Sequence, residues 1–202
     1  MALGKFRQEI IPLVKENSSV LDIASIFSQV VTTDSKNCDC PLLQGRALWF
    51  SSQYASVLPD HILKEFVSVA VQVMAQEQLG LRVFGVKAIK GFLSLGASGR
   101  FEEQAGDILA GLCYLAQSAS NEFLFLLLET LTMAIKINEA ATAEREHLLG
   151  PLIFTVWEKI LEDVFMVEVL IDLFTALASS KLMSSQFQVL VSKCRLGCFH
   201  SC

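Results

Sequence analysis

The stretch His61-Ile-Leu-Lys-Glu-Phe-Val-Ser-Val-Ala-Val-Gln-Val-Met-Ala-Gln76 admits two secondary structures, and the choice between them decides the fold. Val67, Val69, Val71 and Val73 alternate with Ser68, Ala70 and Gln72, which is the two-residue period of a strand. The wider window overrides that local alternation. Ile62, Phe66, Val69 and Val73 fall on one helical stripe, and Leu63, Val67, Ala70 and Met74 on the stripe beside it. Lys64, Glu65, Ser68, Gln72 and Gln76 take the remaining face, and Pro59-Asp60 supplies a helix start. The segment therefore reads as a helix. Its two adjacent apolar stripes require neighbours on two sides.

Working outward, the same reading repeats. Leu81 to Leu95 places Leu81, Phe84, Ala88, Ile89, Phe92 and Leu95 on one face, and Gly96-Ala97-Ser98-Gly99 ends it. The next helix begins near Phe101, with Glu102 and Glu103 in its first turn, where the helix dipole favours negative charge. Its apolar positions are Phe101, Ala105, Ile108, Leu112 and Leu115. The run from Phe123 to Ile135 is apolar all round and should be deeply buried. A helix from about Ala141 to Leu161 should bend or restart at Gly150-Pro151. Val164 to Ser179 and a segment from Ser184 complete the series. Upstream, Ile10-Ile11-Pro12-Leu13-Val14 echoes Leu148 to Ile153, so residues 1–17 read as the remainder of an earlier repeat. Residues 32–40 are the most polar stretch and read as a surface loop.

Spacing joins these helices into one architecture. The first helices of successive pairs open near Pro41, Leu81, Asn121 and Asp163, and their partners near His61, Phe101, Ala141 and Ser184. A two-helix unit recurring about every 40 residues falls in the HEAT and armadillo range of about 40–47. The expected fold is all-α: an α-α superhelix of ARM/HEAT-type repeats with about four to five helix pairs. The array should occupy residues 1–193, with 18–40 partly loop, and residues 194–202 should form a non-repeat tail. Such arrays normally finish with repeats whose outer faces are polar. Neither end has one, which leads to the expectation of a fragment of a longer solenoid whose tail is a truncated or misread coding end.

Composition supports burial on several sides of each helix. Of 202 residues, 52 % are hydrophobic and 18 % charged, which excludes a disordered chain. Mean hydropathy is +0.49, so a membrane protein has to be considered. The longest stretch without Asp, Glu, Lys or Arg is Ile108 to Asn121, 14 residues, short of the ~18 that a bilayer span needs. The N-terminus lacks the apolar core of a secretory signal, and Cys113 lies within a helical apolar pattern, so a reducing compartment is expected. A net charge of −5 argues against direct nucleic-acid binding and leaves basic proteins as partners.

Motifs for chemistry are scarce. No phosphate-cradling G-x-x-x-x-G-K-S/T, H-E-x-x-H or G-x-S-x-G occurs. Three histidines, His61, His147 and His200, offer little for acid–base work, and the chain reads as no enzyme and as needing no cofactor. Cys38, Cys40, Cys194, Cys198, Cys202 and His200 could be drawn together as a zinc site. Structural zinc favours paired C-x₂₋₄-C ligands, and Cys38-x-Cys40 is tighter, so no metal site is expected. Glu129 and Asp172 interrupt apolar helices and need partners or a route to the rim. Glu102, Glu103, Asp107, Glu144 and Glu146 lie on second-type helices and are the candidate partner-facing acids for basic cargo, set against the plainer reading of a solvated helix face.

The segment Cys40-Pro-Leu-Leu-Gln-Gly-Arg-Ala-Leu-Trp-Phe-Ser-Ser-Gln-Tyr54 resembles the middle HEAT repeats of the karyopherin-β (importin-β) family. Leu81 to Phe92, Leu126 to Leu131 and Ile171 to Phe174 follow in the order of that family, and the likeness covers about residues 38–192. The resemblance implies a nuclear transport receptor that carries protein cargo, including basic cargo such as histones. It implies Ran GTPase and nucleoporins as partners of the full-length receptor, shuttling between cytoplasm and nucleus, and neither nucleic acid nor membrane as a direct partner. The Ran-binding N-terminal repeats and the acidic inserts of the family are missing here, so no Ran or histone contact carries over to a residue. The other reading is a HEAT scaffold or adaptor unrelated to nuclear transport, which would share the period but not the likeness over Pro41–Phe92.

Overall fold

The computed structural model describes residues 7–16, 22–37, 39–94, 98–160 and 164–200. Among them the chain is all-α, without strands, and forms two compact units, residues 1–104 and 105–202.

In the first unit α1 (Arg7–Glu16) carries Pro12 inside it. Residues 23–35 then form one helical run of α2 (Ile23–Ile26), a π-turn (Phe27–Val31) and α3 (Thr32–Ser35). The expected loop at 32–40 is therefore wrong over its first residues. The Thr32 hydroxyl donates to the Phe27 carbonyl at 2.8 Å and that of Ser35 to the Thr32 carbonyl at 2.8 Å. With their hydroxyls satisfied by the helix itself, both side chains are buried. Of the described residues in that stretch, only Lys36, Asn37, Asp39 and Cys40 lie outside helices, and Cys38 is not among the described residues.

Next come α4 (Pro41–Gln53), α5 (Asp60–Met74) and α6 (Leu79–Ser94). All eight residues of the two stripes read from α5 are buried, while Ser68 and Gln72 are exposed. The local valine alternation thus yields to the helical period, because only a helix buries both stripes at once. Burial of each large side chain contributes roughly 1.5–3 kcal/mol. Helices α4 and α6 pack side by side, and glycines set their approach. A Cβ on Gly45 would meet the Phe84 ring at 2.5 Å, and one on Gly91 would meet Ser52 Oγ at 2.7 Å. An aromatic cluster fills the core: Phe27 stacks on Phe50 at 5.2 Å, and the Phe66 ring meets Phe27 edge-on at 6.0 Å.

The second-type helix expected from Phe101 begins as short 3₁₀ turns, Ser98–Arg100 and Glu102–Gln104. Regular α7 (Ala105–Ala116) starts only in the second unit, so Glu102 and Glu103 precede it rather than occupy its first turn. Its apolar stripe Ala105, Ile108, Leu112 and Leu115 is buried as expected, as is Phe101.

In the second unit α8 (Asn121–Ile135) is buried at Phe123, Leu124, Leu127, Leu128, Leu131, Ala134 and Ile135, with Phe125 reaching the surface. The expected break at Gly150-Pro151 occurs instead at Arg145, between α9 (Glu139–Glu144) and α10 (Glu146–Ile160). Asn138 caps α9 by accepting the Ala141 N–H at 3.0 Å. The Thr142 hydroxyl bonds back to the Asn138 carbonyl at 2.9 Å, and the Arg145 guanidinium lies over Gly106. Pro151 sits inside α10 on its exposed side, beside exposed His147, whose carbonyl is the one a proline leaves without an amide partner. Then follow α11 (Val164–Ala178), packed on α8, and α12 (Ser185–His200). The backbone of α12 stays helical past Lys193, where the sequence pattern stops; nothing in Cys194-Arg-Leu forces an end.

First helices open at Pro41, Leu79, Asn121 and Val164, which reproduces the spacing read from the sequence. Within each unit, successive pairs stack in the manner of a helical-repeat solenoid.

Candidate functional site

Where one helix pair meets the next, polar side chains cross about one repeat. In the first unit Arg100, in the connection between α6 and α7, reaches back over that distance. It donates to the Ala55 carbonyl at 3.1 Å and the Leu58 carbonyl at 2.5 Å, and pairs with Asp60 at the start of α5. Beside it Lys64 pairs with Glu103 at 2.7 Å, and Gln104 Nε2 donates to the Lys64 carbonyl and the Ser68 hydroxyl, each at 2.8 Å. The Lys64 ammonium holds the Glu103 carboxyl below its ordinary range, first by hydrogen bonding and then by charge.

In the second unit Glu139, at the start of α9, reaches forward to the connection between α11 and α12. Its Oε1 accepts the Ser180 hydroxyl at 2.8 Å, the Lys181 N–H, and the Leu182 N–H at 3.1 Å. Those bonds, the Ser180 hydroxyl foremost, lower its pKa. Glu146 accepts the Ser184 N–H at 2.9 Å and the Ser184 hydroxyl at 2.5 Å. A cavity of about 220 Å³ lies beside this joint, lined by Ile135, Lys136, Glu139, Thr142, Ala176 and Ser180 among others.

The five candidate acids therefore separate by environment. Glu103 and Glu146 are held by contacts between repeats. Glu102 is exposed but has an interaction of its own. Asp107 is exposed on α7, and Glu144 is exposed with Arg145 at 3.7 Å. Two aromatic side chains of the second unit are exposed as well: Tyr114, seven residues beyond Asp107 on α7, and Phe154 on α10, 66 % and 54 % exposed. Asp172 reaches solvent, while Glu129 is half-buried and engaged. Arg100 and Glu139 did not stand out in the sequence. Their signal was there, since Arg100 follows Asp60, and Ser180 follows Glu139, at about the repeat spacing.

Among the described residues no three His, Cys, Asp or Glu side chains gather in a way that could hold a metal ion. Cys40 is exposed, and the other members of the imagined zinc set lie outside the residues with described side chains. Cys113 is buried, and burial pushes its thiol up to about 12. No described helix is long and apolar enough to cross a membrane.

With this geometry established, comparison with known proteins adds one relationship. The chain is 28 % identical over 152 residues to Importin-9 of Drosophila melanogaster. It resembles an importin. The match covers 71 % of this chain and 15 % of that protein, so the chain spans a small part of its relative's length. No family model matches.

Proposed function

We propose that the chain is a segment of an importin-type nuclear transport receptor, corresponding to middle HEAT repeats of an importin-9-like protein. In this reading it binds protein cargo without catalysis, and the full-length receptor passes between cytoplasm and nucleus under the control of Ran and nucleoporins. The observation that carries it is the 28 % identity to Importin-9 over 152 residues, joined to a two-helix repeat of matching kind. Basic cargo such as histones suits the surplus of acids, and the residues assigned to it are Asp107 and Glu144, with Tyr114 and Phe154 as apolar contacts. Glu102 adds local negative field in the first unit, while Glu103 and Glu146 serve mainly the joints.

The test is a pull-down of core histones and of GTP-loaded Ran by this chain and by a full-length receptor containing it. Histone retention by both, weakened by Asp107→Lys with Glu144→Lys, together with Ran binding by the full-length receptor alone, is the expected pattern. A full-length receptor that binds neither would leave a HEAT scaffold outside nuclear transport as the better account.

A further inference from the structure

Helices α4 and α6 contain no carboxylate, although the chain carries 21 Asp and Glu residues against 16 Lys and Arg. Between them they hold Arg46, Arg82, Lys87 and Lys90. The carboxylates of residues 41–104 stand elsewhere: Asp60 and Glu65 on α5, Glu77 in the following connection, and Glu102 and Glu103 in the 3₁₀ turn. Several of these are already matched, Asp60 by Arg100, Glu65 by Lys36 and Glu103 by Lys64.

The glycine contacts show how the cations lie. Gly45 faces Phe84 and Gly91 faces Ser52, so the two helices run parallel and in step. At roughly 100° per residue, Leu42, Arg46 and Trp49 stand about 40–100° round from Gly45. On the same measure Val83, Lys87 and Lys90 stand about 60–120° round from Phe84 in the opposite sense, which for parallel helices is the same side. Both stripes have the spacing i, i+4, i+7. Leu42 is 61 % and Trp49 41 % exposed, and Arg46 and Lys87 are exposed without an ion pair among the described residues. Arg82 turns away, donating to the Gln76 carbonyl.

We propose that the first-helix face of the first unit, built from Arg46 and Lys87 around Trp49 and Leu42, is a docking surface for a short acidic peptide segment that also carries aromatic residues. Charge complementarity selects the occupant. Two unmatched cations and an indole attract carboxylates and cover an aromatic ring, and within a Debye length of about 8 Å a short segment feels this local field and not the net negative chain. A long polyanion would meet the surrounding carboxylates, which disfavours nucleic acid. This surface is built from residues other than the acids assigned to basic cargo and has the opposite sign.

The experiment is fluorescence anisotropy with the whole chain and a short labelled peptide of alternating Glu and Phe. Its Lys-for-Glu counterpart, oligothymidylate and phosphatidylserine vesicles are the comparisons. Arg46→Glu with Lys87→Glu should weaken the acidic peptide about tenfold or more, and Trp49→Ala about fivefold, the scale of a central interface residue. Binding should also fall with added salt. Equal affinity of the wild type and the charge-reversed chain for the acidic peptide overturns the proposal. So does equal binding of the basic counterpart, or tighter binding of vesicles or oligothymidylate lost through the same substitutions. If circular dichroism shows Trp49→Ala to be misfolded, the exposed Lys87→Glu change alone decides, with a loss of about threefold expected and no loss contrary.

Discussion

In residues 41–104 a cation fastens one helix pair to the previous one: Arg100 reaches back to the Ala55 and Leu58 carbonyls and to Asp60. In residues 121–192 an anion does the corresponding work: Glu139 reaches forward to Ser180 and to the amides of Lys181 and Leu182. Asp60 and Glu139 occupy the same place, the first turn of a second-type helix, and both accept bonds from the connection within the following helix pair. One joint uses a guanidinium that satisfies carbonyls, the other a carboxylate that satisfies amides. The repeat requires that the polar groups of the connection be satisfied and leaves open which sign of charge satisfies them.

The two units also differ in their cores, and the largest expected effects lie there. Phe66 is fully buried in the aromatic cluster of the first unit, and Phe66→Ala should cost about 3–5 kcal/mol in urea denaturation. Leu128, fully buried in the second unit, should cost about 2–5 kcal/mol on replacement by Ala. If both substitutions lower one common transition equally, the division into two units has no energetic meaning. Next in size is Gly45→Leu, whose side chain must displace the Phe84 ring, at about 1–3 kcal/mol in the same assay.

The joints come after the cores. Arg100→Ala removes bonds to two part-buried carbonyls and should cost roughly 2 kcal/mol. Glu139→Gln keeps the shape and loses the charge, so its effect should be smaller and dependent on pH. The carboxyl of Glu139 is lowered in the fold, so its contribution is present above the unfolded carboxylate range. That contribution is lost as pH falls through the folded value. The Tm difference between wild type and Glu139→Gln should therefore be steady at neutral pH and close in acid, and a gap that widened in acid would refute the assignment. Smallest in energetic terms but clean to read, exposed Cys40 should alkylate in the native protein, while Cys113 should label only when the second unit opens. Peptide mass mapping separates the two.

Much of this was legible in the sequence, because the hydrophobic period and its recurrence are properties of the chain itself. The eight buried positions of α5 followed from two stripes, the starts at Pro41 and Asn121 from turn residues and spacing, and the buried state of Cys113 from its neighbours. The errors fell where local signals compete with packing. Pro151 sits within a helix, the polar Thr32–Ser35 segment is helical, and the break in the third pair falls at Arg145. Sequence position put Asp107, Glu144 and Glu146 on second-type helices, where they lie, and Glu102 and Glu103 on one that they precede. It could not tell Glu146, tied to Ser184, from Asp107, open to solvent, because that depends on what the neighbouring repeat supplies.

The sequence by itself determined an all-helical chain with a two-helix period near 40 residues, since burying two apolar stripes per helix leaves no other regular structure. Tertiary structure alone decided which charges are bound in the joints and which face outward. It also set α4 and α6 parallel in step across Gly45 and Gly91, so that Arg46, Trp49 and Lys87 share one side. The physical reason is that periodicity is a local property of one helix, whereas the partner of a charge one repeat away is chosen only when two helices meet.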